Sequence, residues 1–145
     1  MLHIIRDLND ELLKLIKDDP VRPEIPLEER VNDHSNIFVL LDDEAQTPTA
    51  VVCVKYLDRA PESVKELFST VERESTAVFY TIWSYAAGAG RALIEAASKH
   101  IEQEKPGVTE YVTLSPKTVM AERFHLKNGA EKWRENHDSV NYKYR

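Results

Sequence analysis

A strand that leads through a glycine turn into a helix, at residues 76–101, constrains the fold of this chain more than any other feature. Residues 76–84, TAVFYTIWS, are rich in β-branched and aromatic side chains, which predicts a buried strand. After the turn, apolar side chains recur four residues apart on one stripe, at Leu93, Ala97 and Ile101. This spacing predicts a helix, and a strand, turn and helix in this order are typical of a β-α-β crossover.

The turn itself has the composition of an anion site. The chain has four glycines, and two of them, Gly88 and Gly90, lie together between the predicted strand and helix. A backbone without Cβ atoms lets a phosphate approach the free N–H groups of the first helical turn, where Arg91 adds a positive charge. The alternative is that the glycines serve only a tight turn with positive φ. The third glycine of a dinucleotide site and the Gly-Lys-Ser/Thr of a P-loop do not occur.

The remaining pattern predicts one α/β (α+β) domain over residues 1–145. Apolar residues at helical spacing, prolines and caps predict helices at 8–18, 26–33, 61–72 and 117–129, the last with Gly129 as a left-handed cap. Further strands are predicted at 36–43, 49–57 and 110–116 and on either side of His137. The first two of these strands form an antiparallel hairpin. We therefore expect a mixed central sheet with one β-α-β crossover, flanked by helices.

Composition and charge exclude several classes of function. The net charge of −6 argues against nucleic-acid binding, which needs a basic face. No apolar run has the length that spans a bilayer, and the first residues lack the pattern of a signal peptide. The single cysteine, Cys53, predicts a buried strand residue in a reducing, cytoplasmic setting. No cluster of ligand residues has the spacing of a metal site.

The glycine turn resembles the pyrophosphate loop of the GNAT superfamily of acetyltransferase-type enzymes. That loop usually reads Gln/Arg-x-x-Gly-x-Gly/Ala, and here it reads Tyr85-Ala86-Ala87-Gly88-Ala89-Gly90. The first position departs from the pattern, whereas both glycines fit it. The order of the predicted elements also matches the GNAT fold. The resemblance implies that the residues from Tyr85 to Arg91 bind the pyrophosphate of a coenzyme A thioester.

The helix at 117–129 carries a second resemblance. Many GNAT enzymes have Tyr-x-x-x-Gly-Phe there, with the tyrosine as general acid, and this chain has His125-Leu126-Lys127-Asn128-Gly129-Ala130. Histidine supplies a proton near neutral pH more readily than tyrosine. Four segments are similar to the C-terminal catalytic domain of malonyl-CoA decarboxylases: AVFYTIWS, VTLSP, RFHLKNGA and the closing VNYKY. A fainter likeness upstream extends this resemblance over most of residues 19–144.

The narrower resemblance implies that a histidine and a hydroxyl act together on the thioester. His125 is the implied proton donor. The family's two strand serines map onto Thr81 and Trp83, so the implied hydroxyl is Thr81 or the neighbouring Ser84. Ser115, at the end of the strand after the crossover and beside the expected separation of the two parallel strands, is a candidate contact of the coenzyme. Asn128 is another. The glycine turn, and the segment between VTLSP and the histidine helix, are shorter than in the family.

Three functions follow as hypotheses. The first is decarboxylation of malonyl-CoA, or of a close analogue, to acetyl-CoA without a metal. The second is N-acetyl transfer from acetyl-CoA to a small amine or a protein, and the third is non-catalytic binding of acyl-CoA. Each requires a small-molecule acyl-CoA ligand, and no nucleic acid or membrane is expected as a partner. The final strand, SVNYKYR, is predicted as an exposed edge that pairs two copies into a homodimer.

Overall fold

A seven-stranded mixed sheet organises residues 1–144, which are the residues that the computed structural model describes. The strands are β1 (Leu2–Ile5), β2 (Ser35–Leu41), β3 (Pro48–Leu57), β4 (Thr76–Ser84), β5 (Glu110–Thr113), β6 (Glu131–Glu135) and β7 (Val140–Tyr144). The α-helices are α1 (Leu27–Arg30), α2 (Ala89–Glu104) and α3 (Val119–Lys127). Two 3-10 helices span Glu11–Asp18 and Val64–Phe68.

The strands lie across the sheet in the order β1-β2-β3-β4-β5-β7-β6. All neighbouring pairs are antiparallel except β4 and β5, which are parallel and are connected through α2. This arrangement confirms the predicted mixed sheet, the antiparallel hairpin of β2 and β3, and the central crossover. β4 has the bounds that the sequence predicts.

The predicted α-helix at 8–18 is a shorter 3-10 helix, Glu11–Asp18. It begins where the Asp10 carboxylate accepts a hydrogen bond of 2.9 Å from the N–H of Leu12. It ends at Asp19, whose backbone is extended. The spacing of apolar residues over two turns does not distinguish a 3-10 helix from an α-helix, so this prediction was wrong in type.

The predicted α-helix at 61–72 is likewise a 3-10 helix, Val64–Phe68. Ser63 and Glu66 form a capping box that starts the helix after the proline, and extended backbone at Ser69 ends it. Both 3-10 helices cover the same face of the sheet as α1.

The edges of the sheet differ from the prediction. β1, which the sequence pattern did not reveal, pairs with β2 and forms one edge. β7 lies between β5 and β6, so the prediction of an exposed edge at SVNYKYR was wrong. The reason is that Ser115 and Val140 exchange two backbone hydrogen bonds of 2.9 Å, which place β7 beside the end of β5. β6 is therefore the second edge.

Each face of the sheet buries its own hydrophobic cluster. One cluster packs α2 against β3, β4, β5 and β7, and includes Phe79, Leu93 and Tyr142. The other lies under α1 and the two 3-10 helices and includes Cys53 and Tyr80. Cys53 is fully buried, which confirms its prediction as a core residue. We call these the α2 face and the α1 face.

The sheet opens at its centre, between β4 and β5, at the level of a bulge in β4. Cys53 pairs with Thr81 and Val54 with Phe79, which leaves Tyr80 as an extra residue in β4. The parallel ladder between β4 and β5 ends at the level of Phe79, although β4 continues to Ser84. The carboxyl ends of β4 and β5 therefore separate, which is where ligands of open α/β sheets commonly bind.

Candidate active site

The free edge of β4 faces this opening. The N–H of Tyr85 donates to the carbonyl of Thr49 at 2.8 Å, and Ser84 lies opposite Ala50 in the same ladder. Hydrogen-bonded and non-hydrogen-bonded pairs alternate along an antiparallel ladder, so the N–H and C=O groups of Ile82 and Ser84 point away from β3. They point toward the side of β4 on which the ladder with β5 has ended. This edge can accept the amide groups of an extended ligand.

The predicted phosphate turn forms one end of the opening. Gly88 has φ of 77° and precedes α2, and no side chain among residues 1–144 caps this helix end. Gly90 has a different reason for lacking a side chain, because a Cβ there would lie 2.7 Å from two ring carbons of Phe124. The residues before α2 are exposed, and Arg91 is exposed beside Glu95 at 3.3 Å. The turn therefore offers free N–H groups to an anion.

A groove of about 480 Å³ lies beside the turn, between α2 and the end of α3. Arg91 and Asn128, both predicted contacts of the coenzyme, line this groove together with Gly129 and Tyr144. Gly129 has φ of 96°, as its predicted role as a left-handed cap requires. The structure thus brings the start of α2 and the end of α3 to one groove.

His125 lies on the inner side of α3, on the α2 face, and is 5% exposed. Its Nδ1 forms a hydrogen bond of 2.7 Å with the hydroxyl of Tyr144, and its ring stacks on Tyr142 at 5.1 Å between centroids. Burial lowers the pKa of His125 to about 4, so the imidazole is neutral at pH 7. Burial also raises the pKa of Tyr144, which keeps its hydroxyl protonated.

Thr81 is not brought together with His125. Its hydroxyl donates to Asp19 at 2.7 Å on the α1 face. The same carboxylate accepts from Arg30 at 2.7 Å and from the N–H groups of Val21 and Arg22. Thr81 therefore belongs to a buried polar cluster on the face of the sheet opposite to His125.

Ser84 is the exposed last residue of β4 and points to the same face as Ile82, which packs against the cluster of the α2 face. The side chain of Tyr85 is instead held by hydrogen bonds on the α1 face. Its hydroxyl accepts from the indole of Trp83 at 3.0 Å and donates to Asp18 at 2.8 Å. Of the two candidate hydroxyls, Ser84 shares a face with His125.

Ser115 lies inside the sheet rather than on its rim. It is 3% exposed, and its hydroxyl forms a hydrogen bond of 2.8 Å with that of Thr113. The Thr113 hydroxyl in turn accepts from the N–H of Tyr142 at 3.0 Å. Ser115 therefore fixes the end of β5 against β7.

Sequence reasoning missed two side chains that bear on the candidate site. Tyr144, which holds His125, lies in the VNYKY motif that carries the resemblance, and the pairing of this motif with FHLKNGA was the available signal. Arg22 donates from Nη2 to the carbonyl of Leu114 at 3.0 Å. Its segment resembles the family only faintly, and no local pattern identifies this long-range contact.

Among residues 1–144, no helix is long and apolar enough to cross a membrane. Over the same residues, no group of three or more His, Cys, Asp and Glu side chains is arranged to hold a metal ion.

No protein-family model and no curated protein matches the chain. Malonyl-CoA decarboxylase from Rhodopseudomonas palustris superposes with a TM-score of 0.75 at 18% identity, over 99% of this chain and 59% of that one. The enzyme from Agrobacterium vitis gives 0.69 at 23% identity, over 86% of this chain and 35% of that one. The chain therefore spans about a third to three fifths of these decarboxylases.

PaiA N-acetyltransferase from Thermoplasma acidophilum, solved in complex with coenzyme A, superposes with a TM-score of 0.64 at 12% identity. The superposition covers 100% of this chain and 99% of that one. Identities this low establish the architecture and leave the reaction open. The mixed seven-stranded sheet, its central opening and these structural neighbours together show that the chain has the fold of the GNAT superfamily.

Proposed function

We propose that this protein is an enzyme that binds a coenzyme A thioester in the opening between β4 and β5. The observation that carries the proposal is the free edge of β4, where Ile82 and Ser84 direct backbone N–H and C=O groups toward the opening. The pantetheine arm of coenzyme A contains amide groups that pair with such an edge. Structural neighbours named as malonyl-CoA decarboxylases, and one solved with coenzyme A, support the same class of ligand.

The pyrophosphate of the coenzyme is held at the turn before α2. Gly88 turns the chain into the helix, whose first N–H groups have no side-chain cap. Arg91 and Asn128 line the adjoining groove and complete the site. Tyr85 has no donor left for the pyrophosphate, since its hydroxyl is engaged by Trp83 and Asp18 and its N–H by the carbonyl of Thr49.

The reaction we propose is decarboxylation of malonyl-CoA, or of a close analogue, to acetyl-CoA. The bond between the carboxylate carbon and the α-carbon breaks, CO₂ leaves, and its electron pair forms the thioester enolate. His125 then donates a proton to the α-carbon from Nε2. A thioester enolate is basic enough to take this proton from a neutral imidazole, which matters because burial keeps His125 uncharged. Nε2 then regains its proton from water, and the hydroxide that remains adds to the released CO₂ to give bicarbonate. The hydroxyl of Tyr144 donates to Nδ1 and so keeps the imidazole proton on Nε2.

Ser84 is the hydroxyl we assign to the acyl group, in preference to Thr81. The Thr81 hydroxyl is donated to the buried Asp19, and breaking that bond would leave a buried carboxylate short of one donor. Ser84 is exposed at the end of β4 and faces the α2 side, as His125 does.

N-acetyl transfer is the alternative reaction. The structural likeness to an N-acetyltransferase over nearly the whole of both chains favours it. The net charge of −6 also suits a cationic acceptor. This alternative predicts that thiol is released from acetyl-CoA only when an amine is present. Non-catalytic binding, the third function, predicts affinity for coenzyme A without turnover of either thioester.

Incubation with malonyl-CoA, followed by mass spectrometry for acetyl-CoA, tests the proposal. We expect acetyl-CoA from the wild type and a rate reduced by about 10²- to 10⁴-fold in His125→Ala, as for loss of a general acid. His137→Ala is the matched control because His137 is 96% exposed, and it should keep the wild-type rate. Absence of product from the wild type, or equal rates in wild type and His125→Ala, would refute the decarboxylase proposal.

A further inference from the structure

Arg22 enters the opening between β4 and β5 from the α1 face. The N–H of Leu114 donates to the carbonyl of Phe79 in β4 at 3.2 Å. The N–H and C=O of the next residue, Ser115, instead form hydrogen bonds with Val140 in β7. Backbone groups alternate in direction along an extended chain, so the carbonyl of Leu114 also faces β4. The guanidinium of Arg22 binds this carbonyl at 3.0 Å. It therefore lies where the two strands begin to separate.

The Glu24 and Asp19 carboxylates act on the charge of Arg22 only from a distance, without contacting its guanidinium. No ion pair with Arg22 is present among residues 1–144, and its Nε is buried there without a hydrogen-bond partner. Asp19, the nearby acid, is saturated by Arg30, by Thr81 and by two backbone N–H groups. Buried N–H groups are nearly always paired, and a planar guanidinium is suited to a carboxylate. The guanidinium of Arg22 thus has N–H groups free to bind a ligand at the point where β4 and β5 begin to separate.

We propose that Arg22 binds the terminal carboxylate of an acyl-CoA ligand and selects dicarboxylic acyl groups, with malonyl as the shortest, over neutral ones such as acetyl. This inference rests on the proposed binding of coenzyme A in the same opening. The coenzyme arm lies along the free edge of β4, with the thioester on the side of His125 and the carboxylate directed to Arg22 on the opposite face. Arg22 is a specificity-determining residue in this account, and it moves no proton.

Equilibrium binding of three ligands, measured by calorimetry, tests the assignment: malonyl-CoA, acetyl-CoA and the neutral methyl ester of malonyl-CoA. The titrations use His125→Ala as the parent protein, because it leaves malonyl-CoA intact, and every further substitution is made in this parent. A charge-assisted hydrogen bond predicts that malonyl-CoA binds about 10- to 100-fold more tightly than either neutral ligand. Arg22→Gln should lose this preference and keep the affinity for acetyl-CoA, which also reports that the variant is folded. Arg22→Lys should retain part of the preference.

Arg59→Gln is the matched control, because Arg59 is 62% exposed and should leave all three affinities unchanged. Equal affinity of the His125→Ala parent for the three ligands would overturn the role of Arg22 while leaving the coenzyme site intact. A preference for malonyl-CoA that persists in full in Arg22→Gln would overturn it as well. Failure of both the wild type and the parent to bind acetyl-CoA, and of the parent to bind the other two ligands, would instead remove the proposed function on which the inference rests.

Discussion

At the scale of single residues, burial and hydrogen bonding set the protonation of two buried groups, His125 and Asp19. For His125, desolvation lowers the pKa to about 4, and the partner at Nδ1 is the neutral hydroxyl of Tyr144. For Asp19, burial alone would raise the pKa, but hydrogen bonds from the backbone of Arg22, from Arg30 and from Thr81 hold it below its usual value. The imidazole of His125 is thus kept neutral, and the carboxylate of Asp19 is kept charged.

The pH dependence of stability should carry the signature of His125. The unfolded chain binds a proton near pH 6.5 and the folded one only near pH 4, so stability falls as the pH falls between these values. From about pH 7.5 to about pH 5, we expect the wild type to lose roughly 2 kcal/mol more than His125→Gln. Urea unfolding at both pH values measures this difference. Equal losses would contradict it, and His137→Gln should behave as the wild type.

The ion pair of Asp19 and Arg30 should be essential to the fold. Both side chains are fully buried and 2.7 Å apart. Asp19→Ala leaves the Arg30 charge without a partner and should cost about 3–5 kcal/mol of unfolding free energy. Asp58→Ala, which breaks the exposed pair with Arg59, should cost less than about 1 kcal/mol. Denaturant unfolding of both variants measures the contrast, and similar costs would contradict this account.

At the scale of elements, helices and strands with long, regular sequence patterns could be predicted, and short elements with weak patterns could not. β4 and α2 could be predicted because a β-branched run and an apolar stripe each extend over many residues. The 3-10 helices could not be distinguished from α-helices, since apolar spacing over one or two turns fits both types and extended backbone cuts both helices short. β1 was missed because a strand of four residues at an edge has little alternation to detect.

The packing of α2 against α3 depends on Gly90. A Cβ there would meet the Phe124 ring at 2.7 Å, so Gly90→Ala should cost about 1–3 kcal/mol of unfolding free energy by overpacking. Phe124→Leu shortens the obstructing side chain and should recover much of this cost in the double variant. A double-mutant cycle in urea measures the coupling.

Gly107→Ala is the control for this cycle, because its Cβ would lie an ordinary 3.9 Å from the carbonyl of Glu74. It should change stability by less than about 0.5 kcal/mol. Equal effects of Gly90→Ala with and without Phe124→Leu would show that the ring is not the reason for this glycine.

At the scale of the whole molecule, the site is assembled from residues far apart in sequence. Arg22 and the carbonyl that it binds are 92 residues apart, and Thr81 and Asp19 are 62 apart. Local pattern predicted the glycine turn and drew attention to His125, because both lie in short motifs. It could not reveal that Thr81 faces away from His125, since the bulge at Tyr80 brings Tyr80 and Thr81 to the same side of the sheet.

Calorimetric titration with coenzyme A is the most direct test of the central claim that the turn before α2 anchors a coenzyme A thioester. The wild type should bind coenzyme A, and pantetheine, which lacks the pyrophosphate, should bind at least about tenfold more weakly. Asp and Asn both tolerate the positive φ of Gly88, so they form a matched pair. Gly88→Asn adds a side chain that can cap the helix and should weaken binding, and Gly88→Asp should weaken it much further by repelling the pyrophosphate. No binding of coenzyme A by the wild type, or equal affinity in the two variants, would contradict the claim.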